Sequence, residues 1–210
     1  MAEVAPPRDN SPIIHPKEDV PAMKSCLVVI DAQESFRHRP YFTDRDLPAW
    51  LAAQNALIEA CRERGVPIVR IFHVDGPKTA QNSFALESGL VRPIEGLAPF
   101  EAAATFHKSR HSALVGTGLD VWLTQNGIGR LVITGIRTEQ CCETTARHAS
   151  DLGFQVDYVT DATLTFDMTH EDGTPLPAAT LKARTAAVLK DRFARICSAP
   201  QAIDRLAMPA

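Results

Sequence analysis

Cys26-Leu27-Val28-Val29-Ile30-Asp31 is an unbroken apolar, β-branched run that stops at a carboxylate. Alternation would mark a strand with one wet face; a continuous run of this length suits a central strand buried on both faces. The text after it changes period. Leu47, Trp50, Leu51, Leu57, Ile58 and Cys61 fall on one stripe at three- and four-residue spacing, which predicts a helix with Asp46 as N-cap and Gly65 as its stop. Pro67 to Phe72 then reads as a second strand.

The same alternation continues. A short strand end is expected at Phe106-His107-Lys108, and a helix from Thr117 to Asn126 with Thr117 and Asp120 spaced as a capping box. Arg130 to Thr134 reads as a strand, Thr138 to Leu152 as a helix and Phe154 to Val159 as a strand. Leu181, Thr185, Val188 and Leu189 mark a last helix, and Ala194 to Cys197 a last strand. Strands alternating with helices in this way predict an α/β fold. It is doubly wound, with a mostly parallel sheet, helices on both faces and a single domain at 23–198. Residues 1–22, with Pro6, Pro7, Pro12, Pro16 and Pro21, read as an extended arm, and 199–210 as a tail. The stretch from His73 to Phe106 lacks periodicity, and loops that long are usually functional, so it is expected to cover the mouth of a site.

Composition narrows the function. The 210 residues carry 22 Lys plus Arg against 25 Asp plus Glu, a net charge of -3, so no basic field for nucleic acid is present. No apolar run approaches the ~18 residues of a membrane span, and no signal-peptide core precedes Ser25. Five cysteines without paired spacings argue against a disulfide framework and for a reducing, cytoplasmic compartment. Without a Cys-x-x-Cys pair, no structural metal is expected.

In an open α/β sheet, sites gather at the carboxyl ends of the strands. The residues there are Asp31, His73, Lys108 and the segment Gly135 to Cys142. Asp31 reads either as a turn-capping carboxylate or as a desolvated one able to take and return a proton. Lys108 reads as a surface lysine on its own, but beside a carboxylate and a thiol it would favour both anions. Thr138 is a good N-cap type, which puts Cys141 in the first turn of a helix. There the dipole would lower the thiol from its usual value near 8.5. The plain alternative is a small buried hydrophobe. Cys142, in step with Ala146 and Ala149, is assigned to the core, as are Cys26, Cys61 and Cys197.

The stretch Leu27-Val28-Val29-Ile30-Asp31-Ala32-Gln33-Glu34-Ser35-Phe36 resembles the apolar strand and Asp-x-Gln-x-x-Phe opening of the isochorismatase-like cysteine hydrolases. Gly135-Ile136-Arg137-Thr138-Glu139-Gln140-Cys141 is similar to their Gly-(Val/Ile)-x-Thr-x-x-Cys segment. Lys108 stands where their lysine is expected, ahead of Arg110-His111-Ser112-Ala113-Leu114. The likeness runs from about Leu27 to Cys197.

The resemblance implies a triad of Asp31, Lys108 and Cys141 that hydrolyses an amide-type carbonyl through a thioester. It also implies a cis peptide at Ile136–Arg137 and an oxyanion hole from the backbone N–H groups of Arg137 and Cys141. The family usually has Asp where Glu139 stands. Members acting on nicotinamide carry an Asp-x-His…His metal cluster after the second strand. Here Ile71-Phe72-His73-Val74-Asp75 is followed by no histidine before His107, so neither metal nor cofactor is expected.

Three readings follow. The first is a hydrolase cleaving a C–N bond of a small amide, ureide or carbamoyl compound. The second is an isochorismatase-type vinyl ether hydrolase with Asp31 as the acid, and the third a non-catalytic small-molecule-binding member of the fold. Gln33, Phe36, His73 and Arg110 are expected to shape the pocket, with Arg110 or Arg137 meeting an anionic group. The expected partner is a small-molecule substrate, without nucleic acid or membrane. Family members commonly form homo-oligomers, so a dimer or tetramer is expected.

Overall fold

The computed structural model describes residues 23–206, so the arm expected at 1–22 lies outside the described residues. In chain order the strands are β1 (Lys24–Ile30), β2 (Ile68–His73), β3 (Ala104–Lys108), β4 (Ile128–Ile136), β5 (Gln155–Leu164), the short pair β6 (Met168–Thr169) and β7 (Pro175–Leu176), and β8 (Arg195–Cys197). The α-helices are α1 (Leu47–Glu63), α2 (Leu119–Gln125), α3 (Glu143–Asp151), α4 (Ala178–Leu189) and α5 (Ala199–Asp204). Six strands form one parallel sheet in the order β3-β2-β1-β4-β5-β8, and β6 pairs antiparallel with β7.

β1 is buried on both faces because helices cover both. Leu27 and Val29 point into one core with Trp50, Leu57 and Ile58 of α1 and Ala199 and Ala202 of α5. Cys26, Val28 and Ile30 point into the other, with Leu119 and Leu123 of α2, Cys142, Ala146 and Ala149 around α3, and Leu189 of α4. All five cysteines are free thiols and buried, in agreement with a core role for four of them. Among the described residues no helix is long and apolar enough to cross a membrane.

Several local expectations are corrected. Asp46 does sit at the N-cap of α1, but its side chain makes no capping bond and lies 3.4 Å from Arg45 instead. The helix expected at Thr117–Asn126 is shorter. Gly118, at φ 77°, takes the N-cap, and Thr117 Oγ1 donates to the Ala113 carbonyl and accepts from Leu119 N–H, so no capping box forms. Val188 is 37 % exposed and off the buried stripe of α4. The supposed tail begins with α5, closed by a capping box between Ser198 and Gln201 and packed through Ala199, Ala202 and Leu206.

The sheet order reverses between β1 and β4, because the chain leaves β1 toward β2 and returns to β4 on the other side. Crossover connections diverge there and leave a crevice beyond the strand ends. Gly135 allows the two strands to meet closely: at φ 125°, a Cβ on it would lie 1.9 Å from the Ile30 carbonyl oxygen. Between β2 and β3 the chain is loop apart from a 3-10 turn at Leu86–Ser88.

Candidate active site

Asp31 follows β1 directly, with φ 50°. That left-handed conformation disfavours most side chains but is tolerated by Asp more readily than by bulkier residues. Its N–H donates to the Ile71 carbonyl at 2.9 Å, which fixes the residue at the crevice. Lys108 ends β3 and is paired in register with His73 at the end of β2. Its side chain reaches over β2 to place Nζ 2.7 Å from Asp31 Oδ2 and 3.2 Å from Cys141 Sγ, to which it donates. Lys108 and Asp31 are almost wholly buried, and Cys141 is 7 % exposed.

Cys141 is not in the first turn of an α-helix. Thr138–Cys142 forms one π-helical turn, and α3 begins after it. Thr138 does not cap it; its hydroxyl donates to Thr163 Oγ1 at 3.0 Å. The widened turn is pinned at its carbonyls. Tyr158 donates to the Thr138 carbonyl at 2.7 Å, and Thr145 Oγ1 donates to the Cys141 carbonyl at 2.7 Å. Glu143, buried just behind, accepts from Arg147 and from Thr185 of α4, tying the turn to the next helix. The Ile136–Arg137 peptide leading into the turn is cis.

Electrostatics also differ from the dipole argument. Burial, and then the Asp31 charge, push the Cys141 thiol up to about 12, against a smaller downward pull from Lys108. Burial likewise raises the Asp31 carboxyl, although Lys108 opposes it. Burial works against the Lys108 ammonium, but the Asp31 charge and the bond to Cys141 Sγ favour it and hold it protonated above the usual lysine range. The resting arrangement is therefore a thiol beside the Asp31–Lys108 pair. A raised carboxyl pKa brings the acid closer to the thiol's own and makes proton exchange between them cheaper.

His73 Nδ1 lies 3.0 Å from Lys108 Nζ, and its Nε2 lies 3.8 Å from Asp75 Oδ2. Burial and the Lys108 charge push its imidazolium down to about 4, so the ring is neutral at pH 7. Asp31, His73 and Cys141 offer three metal-ligand atoms within 4.8 Å of one another. The Lys108 ammonium sits against all three, at the place a metal cation would need. These residues do not fit a metal while that lysine is there.

Asp31 and Cys141 face a cavity of about 350 Å³ lined also by Phe36, His73 and, from the long loop, Asn82 and Phe84; Lys108 does not line it. Gln33 and Arg110, expected to shape this pocket, do not line it. Gln33 is fully buried: its amide donates to Ser35 Oγ and the His73 carbonyl and accepts from His73 N–H, so it staples β1 to β2. Arg110 is exposed and donates to the Ser109 carbonyl. Arg137 is buried, with its guanidinium 3.1 Å from Glu139 and 4.9 Å from the centre of the Tyr41 ring, so its charge is already matched. The wall also holds Gln140, from the segment singled out in the sequence, and Arg39 and Tyr41, which the sequence did not single out. Their positions depend on the 3-10 turn Glu34–His38 and on the π turn, neither of which has a periodic signature.

A family model described as the isochorismatase domain matches residues 25–191. The uncharacterized isochorismatase family protein YrdC of Bacillus subtilis is 30% identical over 86% of this chain and 95% of its own length. Nicotinamidase 3 of Arabidopsis thaliana is 29% identical over 72% of this chain and 78% of that protein. Among solved structures, an isochorismatase from Pseudomonas putida superposes with a TM-score of 0.74 at 28% identity, covering 87% of this chain and 93% of that one.

Proposed function

The chain belongs to the isochorismatase family of hydrolases, and on that premise we propose that it is a cysteine hydrolase cleaving the C–N bond of a small amide, ureide or carbamoyl compound. The observation that carries this reading is that Cys141 lines the cavity with its Sγ 3.2 Å from an ammonium that is itself 2.7 Å from the buried Asp31 carboxyl. A vinyl ether hydrolase needs the acid alone; a thiol held against both charges has a use only if sulfur forms a bond.

Asp31 takes the Sγ proton as the sulfur bonds to the substrate carbonyl carbon. Lys108 stays protonated and offsets negative charge on whichever of the two partners carries it. The tetrahedral oxyanion is assigned to the backbone N–H groups of Arg137 and Cys141. The C–N bond then breaks as Asp31 returns its proton to the leaving nitrogen, giving a thioester. Water attacks that thioester and yields a proton to Asp31, the C–S bond breaks, and the proton goes back to sulfur.

The test is an ammonia-release screen over small amides, ureides and carbamoyl compounds, with Cys141→Ala as the control. Release by the wild type that disappears in Cys141→Ala supports the reading. Cleavage of isochorismate that survives Cys141→Ala overturns it in favour of acid catalysis by Asp31. No turnover on either set overturns it in favour of a binding protein.

A further inference from the structure

Arg39 lines the same cavity as Cys141 and Asp31, and among the described residues no carboxylate lies within ion-pair range of it. Its neighbours differ. Arg37 is shared between Glu34 and Asp44, Arg45 is paired with Asp167, and Arg137 with Glu139. Arg39 instead stands over two rings, 5.8 Å from the centre of Tyr41 and 5.8 Å from that of Phe84, both of which also line the cavity. Stacking of this kind restricts a long side chain's rotamers while leaving the edge of its guanidinium free to donate.

We propose that Arg39 is a specificity-determining residue and that the site takes an amide whose far end carries a carboxylate. The proposal rests on the amide-hydrolase reading only for the word amide; the anion preference is a matter of binding. A guanidinium fork matches a carboxylate with two parallel N–H···O bonds, stronger than neutral ones. The anion preference comes from the position of Arg39 rather than from net charge: Asp31 and Lys108 cancel, and Asp75, also in the wall, faces His73 and offsets Arg39, so no more than one negative charge is accommodated. The edge-to-face pair Phe36–Phe84, with ring centres 5.1 Å apart, supplies apolar surface for the body of the molecule.

The test uses probe pairs in which the terminal carboxylate is kept or masked: succinamate, glutaramate and 4-carbamoylbenzoate, each beside its methyl ester. Binding to the full-length Cys141→Ala protein is measured by calorimetry, so that no turnover intervenes. At least one acid is expected to bind about tenfold or more tightly than its ester, as a charge-assisted bidentate contact gives. The excess shrinks as salt is raised. It vanishes in Cys141→Ala/Arg39→Gln and is partly kept in Cys141→Ala/Arg39→Lys, which retains charge without the fork. No acid exceeding its ester, or a preference that outlives Arg39→Gln, overturns the proposal. Acid preference without hydrolysis by the wild type would sink the amidohydrolase reading and leave Arg39 its role; hydrolysis without acid preference would do the reverse.

Discussion

Nζ of Lys108 lies 3.0 Å from Nδ1 of His73, and an ammonium can only donate, so that nitrogen must be the acceptor. His73 is thereby held as the neutral tautomer with its proton on Nε2. Asp31 Oδ2 at 2.7 Å, as the paired charge, and Cys141 Sγ at 3.2 Å, as a second acceptor, are the ammonium's other two neighbours. Gln33 fixes the histidine in turn, through bonds to its N–H and its carbonyl. His73→Ala should leave Lys108 free to swing, and a catalytic group misplaced by about 1 Å costs on the order of a hundredfold in rate. We expect kcat/KM for ammonia release to fall by about ten- to a hundredfold. His73→Asn, whose side-chain oxygen can accept the same bond, should recover part of the loss. Full activity in His73→Ala would show that the lysine needs no third acceptor.

Replacing Asp31 by Asn should produce opposite effects in two assays. Turnover is expected to be lost, because the proton acceptor is gone. Alkylation of Cys141 by iodoacetamide should become faster at a given pH. The Asp31 charge is one of the causes that push the thiol up to about 12, and its removal leaves Lys108 pulling the other way. In the wild type the same reaction should run more slowly at pH 7 than with a free cysteine, whose thiol ionises near 8.5, and should keep rising through alkaline pH. Lys108→Met should be slower still. Thiol labelling in Asp31→Asn that is slower than in the wild type would contradict this account.

The difference between legible and hidden features follows from which signals are periodic. The buried run at β1 and the amphipathic stripe of α1 have patterns that repeat, and both elements stand where the pattern puts them. The strand-end rule brought Asp31, Lys108 and Cys141 together because a parallel sheet puts the carboxyl ends of β1, β3 and β4 on one edge. The dipole argument for Cys141 failed because a sequence does not announce a π turn, nor the burial that outweighs a helix end. Arg39 was passed over because a pocket wall built from a 3-10 turn and a long loop depends on tertiary contacts, and Gln33 was misassigned because a buried staple and a pocket amide look alike in one dimension. The C-terminal helix was missed because α5 spans only Ala199–Asp204, too short for a periodic stripe; its Ser198–Gln201 capping signature was the available clue.

Gly135 pairs with Ile30 where β1 and β4 meet at the crevice. Gly135→Ala puts a methyl group 1.9 Å from the Ile30 carbonyl oxygen, and at φ 125° an alanine is strained before any contact is counted. The obstacle is backbone in the centre of the sheet and cannot rotate away. A destabilisation above about 3 kcal/mol is expected, at the severe end for single substitutions. The measurement is urea unfolding, where Gly153→Ala serves as the comparison: that glycine also has positive φ, at 89°, but open space around its Cβ position. Equal losses at the two sites would mean that the contact with Ile30 is not what matters.

Asp167 joins two elements near the second half of the sheet. Its carboxylate is 3.0 Å from Arg45 and its Oδ1 accepts from the Ala178 N–H at 2.8 Å, where α4 begins. The bond to Arg45 and that to Ala178 bring its acid down from 3.8 to about 2. A carboxyl depressed in the folded state stabilises it fully above the unfolded value and loses that contribution as pH falls through the folded one. Asp167→Ala should therefore melt below the wild type at pH 7, and the gap should close as pH is lowered from about 4 to about 2. Asp167→Asn keeps an oxygen for Ala178 but no charge for Arg45, so it should fall between the two at pH 7. A melting gap that stays constant down to pH 2 would show that the substitution acts through packing and that the ionised carboxylate contributes nothing.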